Sequence, residues 1–123
     1  MKKAPDIRFI GVEPSDALAS VAREKAAKLE LFCPEIMACL VVIELAHKHR
    51  RQGRPIAVRL SVTLPGRELA VSRVENEDAY VALRDAFDGM KRQVADAMQR
   101  MREPERSAGP LGESAVEPNG STP

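Results

Sequence analysis

Ile56-Ala57-Val58-Arg59-Leu60-Ser61-Val62-Thr63-Leu64, followed by Pro65-Gly66, decides the fold class. Successive side chains of a strand point to opposite faces, so this alternation puts five aliphatic residues on one face. Ala57, Arg59, Ser61 and Thr63 fall on the other, which reads as wet. Pro65-Gly66 is a tight-turn dipeptide, and Glu68 to Val74 returns as a further strand, giving a hairpin.

Upstream, Met37 to Ala46 is dense in β-branched and apolar residues (Leu40, Val41, Val42, Ile43) and reads as a central strand. Between the two lies His47-Lys48-His49-Arg50-Arg51-Gln52-Gly53-Arg54, with four fixed positive charges and no acidic residue. Cys33-Pro34 stops the preceding element, because a residue before proline is pushed out of the helical region. That element is an amphipathic helix of about four or five turns, with Leu18, Val21, Ala22, Leu29 and Phe32 at three- and four-residue spacing. Ser15 caps it and Asp16 puts negative charge in its first turn. Ile7 to Val12 serves as a first strand.

Downstream of the hairpin, residues 76 to 102 form a second helix. Asn76 or Asp78 caps it, and Leu83, Phe87, Met90, Val94, Ala97 and Met101 make its buried stripe. Pro104 ends it. Residues 103–123 are rich in Gly, Pro and Ser and poor in large apolar residues, a composition that reads as a disordered polar tail. The expected fold is α+β in the order β-α-β-β-β-α: a four-stranded antiparallel meander with two helices packed on one face, spanning residues 1–102.

At 123 residues and 44% apolar content, the chain suffices for one domain with its own core. No apolar run approaches the roughly 18 residues that span a membrane, and no signal peptide is legible at the start. Cys33 and Cys39 read as reduced thiols of a cytoplasmic protein. The formal charge of +1 is unevenly spread. Residues 103–123 hold four glutamates against Arg106, a local −3, which leaves 18 basic and 14 acidic residues in 1–102, or +4.

No nucleophile, tuned acid–base pair or metal site is recognisable, and there is no P-loop, G-x-G-x-x-G, G-x-S-x-G or C-x-x-C. The two histidines lack further ligands at a useful spacing, and Asp85 and Asp88 read as solvated helix carboxylates. The expectation is therefore no enzyme, no cofactor and no small-molecule substrate. The basic residues are better organised. At 100° per residue Lys25 falls inside the apolar stripe of the first helix and Lys28 at its edge, while Arg84, Lys91 and Arg102 follow one margin of the second stripe. Two such helices side by side would border a shared positive groove. Snorkelling at the rims of two buried helices gives the same pattern. Aromatic residues are few, and those on the helices read as mostly inward, which points to phosphate and 2′-hydroxyl contacts with structured RNA rather than base stacking on a sheet.

In its motifs the chain resembles the ribosome hibernation-promoting factors, also called ribosome-associated inhibitor A or sigma-54 modulation proteins, in their short form. Lys25-Ala26-Ala27-Lys28-Leu29-Glu30 is similar to the family's K-x-x-K-L-E. Asp78-Ala79-Tyr80-Val81-Ala82-Leu83, with Asp85, Asp88 and Arg92-Gln93-Val94, is similar to its D-x-Y-x-A-I, acidic residues and R-Q-L. The lysine-rich segment that many relatives carry next is Ala95-Asp96-Ala97-Met98-Gln99 here. The resemblance implies a protein that binds the small ribosomal subunit through ribosomal RNA in the channel for transfer and messenger RNA, inhibits translation by occlusion, and is monomeric off the ribosome. By position it makes Lys25, Lys28 and Arg92 contact residues. The charge pattern adds Arg50, Arg51 and Arg54 in the loop and Arg84, Lys91 and Arg102 on the second helix. Two other readings compete. A double-stranded-RNA-binding domain expects lysines where this chain has Glu75, Asn76, Glu77 and Asp78. A protein-interaction or transcription-associated module would use the open sheet face.

Overall fold

A computed structural model of the chain describes residues 1, 3–46 and 55–102, with backbone alone at 102. The elements are β1 (Asp6–Ile10), α1 (Asp16–Phe32), β2 (Ala38–Leu45), β3 (Ile56–Leu64), β4 (Arg67–Asn76) and α2 (Ala79–Arg102). They form one four-stranded sheet in the spatial order β1-β2-β3-β4. The basic 47–54 loop and the 103–123 tail lie outside the described residues.

The sheet is mixed, not a meander. β2, β3 and β4 pair antiparallel, but β1 runs parallel to β2, with Ile7 opposite Val41 and Phe9 opposite Ile43. A parallel pair needs a crossover that carries the chain back, and the 17-residue α1 between β1 and β2 provides it. Strand alternation alone carries no information on this direction.

Alternation does set the helix face, but the opposite face is not wet throughout, since Val42 and Ala57 are buried there. Val41 and Ile43 from β2, and Val58, Leu60, Val62 and Leu64 from β3, are all buried on the helix side. Each such side chain contributes about 1.5–3 kcal/mol by leaving water. On β4, Leu69 and Val71 point the same way, yet so does Val74, which is out of phase by one residue. The register shifts between Val58 and Leu60, so Arg59 faces two residues, Ser72 and Arg73. This is a β-bulge, and Arg73 takes φ 45° within it. The reversal at Pro65-Gly66 is equally local: Leu64 pairs with Arg67, and Gly66 adopts φ 77°, a conformation that a Cβ would strain.

Both helices begin on side-chain caps. The Leu18 amide donates to Ser15 Oγ at 3.1 Å. At α2 the cap is Asp78, whose carboxylate accepts from the Tyr80 amide at 2.9 Å, while Asn76 accepts from the Asp78 amide one step earlier. Helix α1 packs Ala22, Ala26 and Leu29 into the core, and α2 packs Leu83, Phe87, Met90, Val94 and Ala97. Met101, expected in that stripe, is 40% exposed; it stands in the last turn, past the end of the buried face. No helix is long and apolar enough to cross a membrane among the described residues.

Cys33 and Cys39 are buried, unpaired thiols. Burial pushes the Cys39 thiol from 9.0 up to about 11. Below pH 9 both folded and unfolded thiols are protonated and the contribution to stability is complete. Between about pH 9 and 11 only the unfolded thiol ionises, so stability falls as pH rises, by about 2–3 kcal/mol in all. Denaturant midpoints should therefore decline less steeply over this interval in Cys39→Ala than in the wild type. Parallel curves would contradict the assignment.

Candidate nucleic-acid interface

The two helices border a groove, and three lysines line it. Leu29 and Phe87 form its floor, Lys25 and Lys28 stand on the α1 side, and Asp88 and Lys91 on the α2 side. Phe32 completes the wall, and the Lys91 ammonium lies 4.9 Å from the centroid of its ring. That distance is within the range of a cation–π contact. Lys25 is half-buried; Lys28 and Lys91 are exposed. The K-x-x-K spacing explains the first pair, since positions three apart share a helix face.

Several other cations of the described surface are held by carboxylates. Arg8 holds Asp6 at 2.9 Å, Arg59 holds Glu44 at 3.0 Å, Arg73 meets Glu75 at 3.6 Å and Arg100 meets Asp96 at 3.4 Å. Lys25, Lys28 and Lys91 take part in none of the ion pairs of the described residues. Exposed ion pairs add little stability, but they do neutralise the charge that would meet a phosphate. Lys3, Arg23, Arg67 and Arg92 are likewise outside these ion pairs, so what distinguishes the helix groove is that three unpaired lysines converge on it.

The expected contact residues divide accordingly. Lys25, Lys28 and Lys91 come together as the two rows predicted. Arg84 does not join them; its guanidinium turns to the adjacent Asp85 at 3.1 Å. Arg92 is exposed but outside the groove, with a guanidinium nitrogen 3.9 Å from the position a Cβ on Gly89 would take. The side chain of Arg102 and all of Arg50, Arg51 and Arg54 lie outside the described residues. Phe32 and Tyr80 correct the expectation of inward aromatics: they are 37% and 46% exposed. Phe32 ends α1, where the helix interface opens into the groove, and helical spacing gives no signal for that opening. Among the described residues, no group of three or more His, Cys, Asp or Glu side chains is placed to hold a metal ion.

Comparison with known proteins decides the family. The family model described as sigma 54 modulation protein / S30EA ribosomal protein matches residues 6–102. The chain belongs to this family. The resemblance read from K-x-x-K-L-E and the α2 motifs is therefore borne out, and the match covers every described strand and helix of the S30EA chain. No curated protein sequence matches it. Among solved structures, the N-terminal domain of Thermus thermophilus Protein Y is 29% identical with a TM-score of 0.59, over 79% of this chain and 99% of that one. A ribosomal subunit interface protein from Coxiella burnetii superposes with a TM-score of 0.63 at 19% identity, over 76% and 98% of the two chains, a likeness of fold.

Proposed function

We propose that this protein binds the small ribosomal subunit in the cytoplasm through ribosomal RNA, fills part of the channel for transfer and messenger RNA, and silences translation by occlusion. The observation that carries the reading is the groove in which Lys25, Lys28 and Lys91 converge from two helices, none of them in an ion pair among the described residues. Family membership supports it, as do the ribosomal names of the family and of the Coxiella burnetii structure. Lysines in such a row meet phosphate oxygens without reading base identity, which suits binding to a fixed RNA shape. No chemistry on the RNA is invoked; the bound protein acts by excluding other ligands. The alternative of an interaction module on the open sheet face has weaker support, because Arg8 and Arg59 there are already held by Asp6 and Glu44.

Occlusion has a direct consequence. Adding the protein to small subunits should release bound initiator transfer RNA in proportion to occupancy, as read by filter binding with labelled tRNA. A stable ternary complex of subunit, tRNA and protein would overturn the placement in the channel.

A further inference from the structure

We infer that the α1–α2 groove takes a single unpaired nucleotide of an RNA strand, its base stacked on Phe32 and its flanking phosphates on Lys25 and Lys28. The inference rests on the RNA-binding reading above and names the part of the RNA that the groove recognises. A row of lysines along a duplex backbone needs no aromatic surface. Here the groove has one: Phe32 stands at its wall, more than a third exposed, although α1 has buried positions to offer it.

The face of that ring is already used as a π surface. The Lys91 ammonium sits 4.9 Å from its centroid, where it is attracted by the negative face of the ring. A base stacked at about 3.5–4 Å takes the same position, and the displaced ammonium is then beside the phosphates of the incoming strand. The cation thus keeps an anionic or π partner in both states.

Size and charge narrow the occupant further. The groove encloses about 170 Å³, against roughly 300–1,000 Å³ for pockets that bury a drug-sized ligand. That is room for one ring system, not for a dinucleotide cofactor. Three lysines against Asp88 leave the site positive, as a phosphate-bearing strand requires. The Asp88 carboxylate is an acceptor only, so it suits a donor such as a ribose 2′-hydroxyl or an exocyclic amine. Bare polyphosphate offers no such donor and would be repelled by it.

The test compares a six-nucleotide single-stranded RNA with an abasic strand of the same length, by titration of isotope-labelled protein followed by NMR. The phosphate charge is equal in the two, so any difference belongs to the bases. Stacking should make the wild type bind the base-bearing strand at least about fivefold more tightly. It should also shift the Phe32 ring and Lys91 Nζ signals with that strand alone. Phe32→Leu keeps the apolar bulk and loses the π face, so the ratio should fall below about twofold, with circular dichroism confirming the fold. Equal affinity of the wild type for both strands, no binding of either, or an unchanged ratio in Phe32→Leu would overturn the inference. So would equal binding of free nucleoside monophosphate and the strand, because the phosphates on both sides would then contribute nothing. Sedimentation of the wild type with small subunits separates the two claims: its success beside equal strand affinities leaves RNA binding standing and removes the stacked base.

Discussion

Replacing Lys25, Lys28 and Lys91 together by glutamate should weaken binding to small ribosomal subunits by about a thousandfold while the protein stays folded. The three ammonium groups line one groove and have no carboxylate partners among the described ion pairs. A hydrogen bond from a charged donor contributes about 1.5–3 kcal/mol, so three of them at the low end sum to roughly a thousandfold in affinity. Repulsion between carboxylate and phosphate adds to the loss. The log–log salt slope of any remaining binding should be shallower by about two to three, one unit for each phosphate no longer neutralised. The fold should tolerate the change, because Lys28 and Lys91 are exposed and Lys25 is only half-buried. The cation–π contact with Phe32 is lost, at a cost of about 0.5–1 kcal/mol. Arg59→Gln on the opposite sheet face is the control. It breaks only the pair with Glu44 and should leave subunit binding within about twofold. A loss in Arg59→Gln of about one-sixth of the triple variant's on a logarithmic scale, matching one unit of charge changed against six, would show that net charge, not the groove, governs the interaction.

The second large effect is on stability. Leu83 is fully buried in α2 against the sheet. Leu83→Ala removes apolar surface and leaves a cavity, which costs about 2–5 kcal/mol. For a domain near 100 residues each kcal/mol lowers the melting temperature by about 4–8 °C, so a drop on the order of 10–30 °C is expected in a circular-dichroism melt. Met101→Ala, in the same helix but at a 40% exposed position, should change stability by no more than about 0.5 kcal/mol. This contrast tests where the buried stripe of α2 ends. A comparable drop from both substitutions would place Met101 in the core after all.

These two results concern features that differ in how legible they are from sequence. The core was readable because it follows local periodicity. The alternation of Ile56 to Leu64 assigns the helix face of β3, and the spacing of Leu83, Phe87, Met90 and Val94 assigns that of α2. Caps are equally local, and Ser15 and Asp78 act as their side chains suggest. Strand direction is not local. Nothing in Asp6–Ile10 states whether it pairs parallel or antiparallel to β2, and the 17-residue crossover decides it. The bulge opposite Arg59 likewise depends on two strands at once, because an extra residue in β4 is defined only by what faces it.

The candidate site shows the same division. Helical angles put Lys25 inside the apolar stripe of α1, Lys28 at its edge and Lys91 on a margin of the α2 stripe, and the packing of α1 beside α2 brings the three together. The same angles grouped Arg84 with Lys91, but a neighbouring carboxylate, Asp85, turns the guanidinium aside. Phe32 carried an ordinary core signal, an aromatic at helical spacing. Only the position of α2 reveals that its ring faces a groove and a lysine rather than the sheet.

The central claim is that cationic side chains at the helix groove hold this protein on the RNA of the small subunit. The direct measurement is sedimentation of the purified wild-type protein with purified small subunits through sucrose gradients, at about 50 mM and about 500 mM monovalent salt. It should travel with the subunits at low salt and remain at the top at high salt. Protein left at the top at low salt, or binding equally strong at both, would contradict the account.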